Sequence, residues 1–268
     1  MTIDTTALVL TYNEDANIRR TLDSLTWVPK IIILDSFSTD ATAEIARSFS
    51  NVEFRQRAFD THANQWNAGL DHVATEWVLT LDADYEVSPE LQEEIAKLHP
   101  PADVTGYSAE FVYRIFGHPL RASSYPPRVV LFRKSQARYV DDGHTQTLWI
   151  KAASHELRPP KDSDRIGKLS GKIYHDDRKS LSHWIQAQDR YATIEARHLL
   201  ATPLEKLKFQ DRLRRKVFFA APAMFVYLLF ARGLILDGWP GWFYVAQRCI
   251  AELLLSMRLL IEREKLKN

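Results

Sequence analysis

Several features that would assign a protein class at once are missing from this sequence. Its 268 residues include a single cysteine, Cys249, which excludes an intramolecular disulfide and a cysteine-based zinc site and favours a reducing compartment. The formal net charge of +1 argues against a nucleic-acid partner. The first residues are polar, and the apolar run at 7–10 is too short for a secretion signal. We therefore expect the chain to stay in the cytosol.

Two further absences concern membranes and nucleotides. The most apolar stretch, 217–230, is too short to span a bilayer, and Arg232 and Gly233 separate it from the next apolar run. The sequence contains neither Gly-X-Gly-X-X-Gly nor Gly-Lys-Ser/Thr. A bound nucleotide would therefore be held by neither a dinucleotide fingerprint nor a P-loop, and a metal ion would have to neutralise its phosphates.

The first third of the chain alternates short apolar runs with amphipathic segments. The runs at 7–10, 31–34, 52–54 and 77–81 predict strands, and the segments between them predict helices. Such alternation predicts an α/β fold with a Rossmann-like, mostly parallel sheet flanked by helices. Ligands of these sheets bind outside the carboxyl ends of the strands.

The rest of the chain divides into a β-rich middle and a helical last third. We predict a nucleotide-sugar-binding catalytic domain over 1–178 and a helical region over 179–268. Basic residues at 212–216 precede an apolar stretch rich in aromatic side chains, which is typical of a helix lying in a membrane interface. A helical hairpin that packs on the catalytic domain or across a dimer fits the same pattern.

Two carboxylates, Asp82 and Asp84, follow the fourth predicted strand as a DXD motif. Residues two apart in an extended segment lie on the same side, so both side chains can face the crevice. Hard oxygen ligands of this kind suit Mg²⁺ or Mn²⁺ held jointly with substrate phosphates. Asp-X-Asp also occurs in surface loops, but its position after a buried strand favours a metal site.

Polar clusters also follow the first two predicted strands. Tyr12 can stack on a nucleobase, while Thr11 and Glu14 can bond to the base or the ribose. A loop that leads into a helix N-cap explains this cluster as well. Asp35, directly after the second strand, is placed to bond a ribose or a base.

The start of the third predicted helix is polar too. Gln65 and Asn67 lie in its first turns, and a helix N-terminus favours anions such as the phosphates of a donor. Capping of the helix explains these side chains equally well.

The order of these motifs resembles the inverting family-two glycosyltransferases with the A-type fold, and more narrowly the bacterial lipopolysaccharide-core glucosyltransferase-like branch. The motifs are Thr-Tyr-Asn-Glu at 11–14, Asp-Ser-Phe-Ser-Thr-Asp at 35–40 and Asp-Ala-Asp at 82–84, each after a strand. The resemblance is close over 6–100 and looser as far as His175.

The resemblance implies a UDP-sugar donor whose nucleoside lies among the clusters that follow the first two strands. It also implies that Asp82 contacts the sugar or ribose and that Asp84 binds the metal. Many members have a second Asp where this chain has Ser36, which leaves the choice of UDP over GDP open. A-type enzymes often supply a late histidine to the same metal, and His175 is the candidate here; a surface histidine in a turn fits the sequence equally well.

Inverting transfer needs a general base that takes the proton from the acceptor hydroxyl. The candidate segment is Val-Asp-Asp-Gly-His at 140–144, where related sequences tend to place a His-Glu or an acidic pair. We predict Asp142 as the base, with Asp141 and His144 as rivals. An Asp-Asp-Gly sequence is also an ordinary turn.

Together these patterns predict an enzyme of cell-envelope or lipopolysaccharide biosynthesis that moves a hexose from a nucleotide sugar to a lipid-linked or envelope glycan. We expect it to need Mn²⁺ or Mg²⁺ and to work on the inner face of the cytoplasmic membrane; association into a homo-oligomer stays open. Two alternatives remain: a sugar nucleotidyltransferase, and a non-catalytic protein that binds nucleotide sugar or glycan at the membrane surface. A nucleotidyltransferase would usually carry a glycine-rich loop with a basic residue after the first strand, which residues 11–15 do not provide.

Overall fold

The chain forms two compact units. The computed structural model describes residues 3–123, 125–142, 145–151, 156–161 and 164–266, with only the main chain at 142 and 145. One unit comprises Met1–Phe116 and Tyr125–Arg178, and the other comprises Gly117–Ser124 and Lys179–Asn268. In the parts of the chain that are described, no helix combines the length and the apolar character needed to cross a membrane.

The first unit is built on a mixed sheet whose first half is parallel. Strand β1 (Thr5–Thr11) lies between β2 (Lys30–Asp35) and β4 (Trp77–Asp82), and β3 (Val52–Gln56) extends the sheet beyond β2. Alternate residues of these strands enter two hydrophobic clusters, which explains why their sequences are apolar without interruption. The predicted strands are therefore present, and they lie in the predicted parallel arrangement.

The second half of the sheet is mixed. The remaining strands of this unit are β5 (Tyr85–Val87), β6 (Gly106–Ile115), β7 (Arg128–Arg133), β8 (Ala137–Asp142), β9 (Thr145–Lys151), β10 (Leu157–Arg158) and β11 (Ile166–His175). Strand β7 is antiparallel to β4 and β6, while β11 is parallel to β6 and antiparallel to β5. Strands β8, β9 and β10 form a separate antiparallel sheet.

Four helices connect these strands. They are α1 (Ile18–Asp23), α2 (Thr42–Arg47), α3 (His62–Asp71) and α4 (Pro89–Ala96). The Thr61 side chain accepts a hydrogen bond from the Asn64 amide at the start of α3, and Ser88 caps α4 in the same way.

The second unit is helical. Its helices are α5 (Leu181–Ala201), α6 (Phe209–Arg215), α7 (Ala220–Val226) and α8 (Trp239–Lys265), and His118–Pro119 forms a two-residue strand. Short helical turns lie at Leu204–Lys206, Tyr227–Ala231 and Leu234–Asp237. Small and apolar residues of α5 pack with leucines of α8 in one buried cluster. The Asp237 carboxylate accepts hydrogen bonds from the main chain and guanidinium of Arg121, which attaches the segment after residue 116 to this unit.

Candidate active site

The three sequence motifs converge because β2, β1 and β4 are neighbours in the sheet. Thr11 at the end of β1 is in register with Asp35 at the end of β2, and Leu10 is in register with Asp82 at the end of β4. The strands are parallel, so their carboxyl ends lie at one edge. The clusters that the sequence placed after separate strands therefore share that edge.

Asp35 is fully buried, and neighbouring side chains and amides satisfy its carboxylate. Oδ1 accepts a hydrogen bond from Thr11 Oγ1 at 2.9 Å, and Oδ2 accepts from the Ser38 amide at 2.8 Å and Gln56 Nε2 at 3.1 Å. The Ser38 hydroxyl also donates to Oδ1. These hydrogen bonds fix the conformation of the loop after β2 around the Asp35 carboxylate.

The loops after β1 and β2 interlock through a conformation that side chains rarely adopt. Asn13 and Phe37 have φ values of 53° and 60°. The Asn13 amide donates to Ser38 Oγ at 2.8 Å, and Asn13 Oδ1 accepts from the Thr39 amide at 2.8 Å. Tyr12 and Phe37 are 52% and 54% exposed, so this arrangement presents two aromatic rings to solvent.

The polar residues at the start of α3 have protein partners. Gln65 Nε2 donates to Ser36 Oγ at 3.0 Å, and Gln65 Oε1 accepts from Arg57 Nη1 at 2.8 Å. The Asn67 amide forms two hydrogen bonds with the main chain of Tyr139, at 2.9 Å and 3.0 Å. Gln65 thus supports the loop after β2, and Asn67 joins α3 to β8.

Glu14 is tied to the end of β11 through a buried amide. Asn17 Nδ2 donates to Glu14 Oε2 and to Asp177 Oδ1, both at 2.9 Å. Asn17 Oδ1 accepts from the Arg178 amide at 2.9 Å and from Arg20 Nη2 at 3.0 Å. With all four of its hydrogen-bonding positions used, Asn17 fixes the loop after β1 against the segment that carries His175.

Asp84 and His175 form a carboxylate–imidazole pair beside this network. His175 Nε2 lies 3.0 Å from Asp84 Oδ2. The Asp84 side chain is 14% exposed, and the His175 side chain is 13% exposed. His175 ends β11, where it pairs with Tyr85 on one side and Tyr113 on the other. The ring centroids of these tyrosines lie 5.1 Å and 4.3 Å from that of the imidazole. Cross-strand pairing therefore surrounds the histidine with aromatic rings.

Charge and burial shift the pKa values of the titratable side chains around the Asp84–His175 pair. Burial raises the pKa of Asp82, and the negative charge of Asp84 adds to the effect. Burial lowers the pKa of His175, but the charges of Asp84 and Asp82 outweigh it, so the net pKa is raised. Burial and the charge of Asp82 raise the pKa of Tyr125 to about 12. The site thus concentrates negative charge, a condition that favours a cation.

The donor set fits a divalent metal that also binds substrate. No group of three or more His, Cys, Asp or Glu side chains suited to a metal occurs within the described ranges. The Asp84–His175 pair could supply two ligands, and Mg²⁺ sites commonly combine one or two carboxylates with substrate phosphates. Among the described residues, the buried Nδ1 of His175 has no hydrogen-bond partner, so the protein leaves this imidazole only partly satisfied. Imidazole with carboxylate is also compatible with Mn²⁺.

Of the three candidates for the general base, only Asp141 has a described side chain. Its Oδ1 accepts a hydrogen bond from the Ala63 amide at 3.1 Å, in the first turn of α3. This contact is that of a helix cap. The Asp142 side chain and His144 lie outside the described residues, so these two assignments stay predictions.

Sequence reasoning missed the residues that hold the site in shape. The rings of Tyr85, Tyr113 and Tyr125 surround His175, and Asn17 connects the nearby Asp177 to Glu14. The alternating pattern of β6 includes Tyr113, but a pattern within one strand does not reveal which strands are neighbours. Nothing in the sequence around Phe37 indicates that its φ is positive.

A family model and several known proteins match this chain. The model of the family described as Glycosyl transferase family 2 matches residues 6–154. An uncharacterized glycosyltransferase of Rickettsia felis is 26% identical over 199 residues, which are 72% of this chain and 69% of that protein. The lipopolysaccharide core biosynthesis glycosyltransferase LpsC of Rhizobium meliloti is 23% identical over 243 residues, or 88% of this chain and 84% of the relative.

A solved structure shares the fold. The mannosyltransferase of Pyrobaculum calidifontis, determined in complex with GDP-Man and Mn²⁺, superposes with a TM-score of 0.54 at 16% identity, covering 96% of this chain and 87% of its own. Because the family model matches more than half of the chain, the protein belongs to glycosyl transferase family 2. The predicted A-type fold, the resemblance to the lipopolysaccharide-core branch and the assignment as a glycosyltransferase are confirmed.

Proposed function

We propose that this glycosyltransferase moves a hexose, with inversion, from a nucleotide sugar to a lipid-linked or cell-envelope glycan. The observation that carries the proposal is the Asp84–His175 pair, whose carboxylate follows β4, the strand beside β1, so that it shares a sheet edge with Thr11. The GDP-Man and Mn²⁺ bound to the Pyrobaculum calidifontis enzyme support the donor class and the metal. The role in lipopolysaccharide core biosynthesis named for the Rhizobium meliloti relative supports the acceptor class.

The nucleoside is proposed to lie over the loops after β1 and β2. Tyr12 and Phe37 present exposed rings there that can stack on a base, and Glu14 and Ser36 provide polar atoms for the base or ribose. Asp35 and Asn67 act indirectly in this proposal, because their hydrogen bonds go to the protein. We take UDP as the first donor to test, since the branch that the motifs resemble uses UDP-sugars.

The diphosphate is proposed to lie at the end of β4. Asp84 and His175 would hold Mn²⁺ or Mg²⁺, which when bound neutralises charge on the departing diphosphate. Asp82, the last residue of β4, would contact the sugar or the ribose of the donor. The surrounding tyrosines restrict water near His175 and keep the imidazole in one orientation.

The transfer itself needs one proton acceptor. As the acceptor hydroxyl oxygen bonds to the anomeric carbon, the bond from that carbon to the diphosphate oxygen breaks, and the nucleoside diphosphate leaves with the bonding electrons. The hydroxyl proton passes to the base, for which we keep Asp142 as the first candidate and His144 as its rival. Asp141 is the weaker candidate because its carboxylate caps α3.

We place the reaction at the cytoplasmic face of the membrane, where a lipid-linked acceptor is present. The exposed apolar and aromatic side chains of the helical unit support this location, and so does its basic segment at 212–216.

The test is metal-dependent release of nucleoside diphosphate. Purified protein incubated with UDP-sugars or GDP-sugars should release UDP or GDP when Mn²⁺ is present, and EDTA should stop the release. Asp84→Ala should lower the rate by about 1,000-fold, because the diphosphate loses its electrostatic stabilisation. Asp23→Ala, at an exposed aspartate of α1, is the matched control and should leave the rate unchanged. Release of pyrophosphate, or full activity of Asp84→Ala, would contradict the proposal.

A further inference from the structure

The helical unit contains a basic cavity that the proposed reaction does not use. Its volume is about 720 Å³. Four cationic side chains and one acidic side chain line it, so the lining carries an excess of positive charge. The lining residues are Leu204, Glu205, Arg212, Arg215, Lys216 and Arg263.

Among the described lining residues, the Glu205 carboxylate offsets only part of the positive charge of the four cations. Arg212, Arg215 and Arg263 donate hydrogen bonds to main-chain carbonyls. Within the described residues, these three arginines and Lys216 form no ion pair, whereas nearby Arg214 is paired with Asp211 and Glu252. Carbonyl contacts fix the direction of the guanidinium groups and leave their full charge to act on an anion.

Exposed aromatic side chains lie on the same stretch of chain. Val217 and Phe218 have φ values of 54° and 63°, a conformation that is strained for a β-branched residue and a bulky aromatic residue. This turn buries Val217 and leaves Phe218 and Phe219, two and three positions after Lys216, 58% and 64% exposed. The strain is thus stored where two large apolar rings are held in solvent beside the basic cavity.

Helix α6 carries the same combination. Phe209 begins α6 and is 80% exposed, and Arg212 and Lys216 follow it three and seven positions later. Residues with this spacing lie on one face of a helix. Two of the cations that line the cavity, Arg212 and Lys216, therefore lie on the same side of this segment as a solvent-exposed phenylalanine.

We propose that this cavity binds the phosphate of an anionic phospholipid head group, while Phe209, Phe218 and Phe219 enter the membrane interface around it. Guanidinium groups match phosphate oxygens in charge and geometry, and aromatic rings are favoured at the boundary between head groups and acyl chains. The combination distinguishes a lipid from a soluble phosphate, which would gain nothing from the exposed rings. The inference rests on the membrane location proposed above, and it is independent of the donor and the metal.

Vesicle sedimentation of the full-length chain, without donor or metal, tests the proposal. The protein should bind vesicles of phosphatidylcholine with phosphatidylglycerol and should bind pure phosphatidylcholine vesicles weakly. The triple variant Arg212→Gln, Arg215→Gln, Lys216→Gln should bind the anionic vesicles about 100-fold more weakly, since each cation near such a surface contributes about fivefold. Phe218→Ser with Phe219→Ser should weaken binding by at least about tenfold.

The matched control removes three exposed cations from the other unit: Lys97→Gln, Lys151→Gln, Lys168→Gln. It changes the net charge by the same amount and should bind anionic vesicles as the unsubstituted chain does. Equal binding by the two triple variants would overturn the proposal. So would thermal stabilisation by inorganic phosphate without any binding to vesicles, because the cavity would then be a site for soluble phosphate. Vesicle sedimentation does not measure sugar transfer, so a negative result would contradict only the proposed lipid binding. The release of nucleoside diphosphate tests the proposed reaction separately.

Discussion

The ends of β2 and β4 look alike in sequence but differ in what surrounds their carboxylates. Each strand is a buried apolar run that ends in aspartate. Asp35 is fully buried and accepts hydrogen bonds from Thr11, Ser38 and Gln56. Two residues after the end of β4, by contrast, Asp84 is partly exposed and lies beside the imidazole of His175.

This difference separates two uses of a strand-end carboxylate. Where uncharged donors from the protein satisfy both oxygens, the carboxylate shapes a loop, and its loss should appear first in stability. Where the neighbours are a second carboxylate and a histidine, the site concentrates negative charge beside a group that can bind a metal. Loss of such a carboxylate should appear first in turnover. Substitutions at the two strand ends and at the exposed rings between them test this separation.

After Asp84→Ala, the largest effect on turnover is expected at its partner His175, the last residue of β11. His175→Ala removes one of the two proposed metal ligands and should lower turnover by about 100-fold, because the diphosphate is then less well stabilised. The Mn²⁺ concentration that gives half-maximal rate should rise in the same variant, which a metal titration of nucleoside diphosphate release measures. His99→Ala, at a histidine outside the site, serves as control. An unchanged metal dependence would contradict a metal-binding role for His175, and with it the proposed difference in function between Asp84 and Asp35.

At the end of β2 the expected effect is on folding. Asp35→Ala leaves the donors of Thr11, Ser38 and Gln56 without their acceptor; because Thr11 is buried, this should lower the free energy of unfolding by about 3 kcal/mol. Urea denaturation followed by circular dichroism measures this change. Asp23→Ala should alter it little, since that aspartate is exposed. A fully stable Asp35→Ala variant that fails only to bind nucleotide would show that Asp35 contacts the donor directly.

The smallest effect concerns the exposed rings. If the protein itself satisfies Asp35, the nucleobase depends more on stacking, and Tyr12→Ala should raise the KM for the donor about tenfold with kcat nearly unchanged. Tyr12→Phe keeps the ring and should behave as the unsubstituted enzyme. Initial-rate kinetics with a UDP-sugar separate the two variants. A Tyr12→Ala enzyme with an unchanged KM would indicate that the base is held elsewhere.

The parallel half of the fold was predictable because its strands are buried on both faces, which leaves uninterrupted apolar runs such as that of β2. The positions of Asp35 and Asp82 at strand ends, and of Asp84 two residues further on, were predictable for the same reason. Their different surroundings were not, because these depend on which distant residues converge on each carboxylate. The contacts of Asn17 with Asp177 and of His175 with Tyr113 join residues that only the folded sheet brings together.

The assignment of segment Gly117–Ser124 to the helical unit has a consequence for truncation experiments on this protein. The backbone leaves the sheet-bearing unit before β7 to β11 have been reached, and Arg121 is bonded to Asp237, far along the sequence. A protein truncated after residue 178 would keep segment Gly117–Ser124 but lose the Asp237 carboxylate to which Arg121 donates hydrogen bonds. The two units are thus connected at three points of the backbone, and no single cut separates them into intact halves.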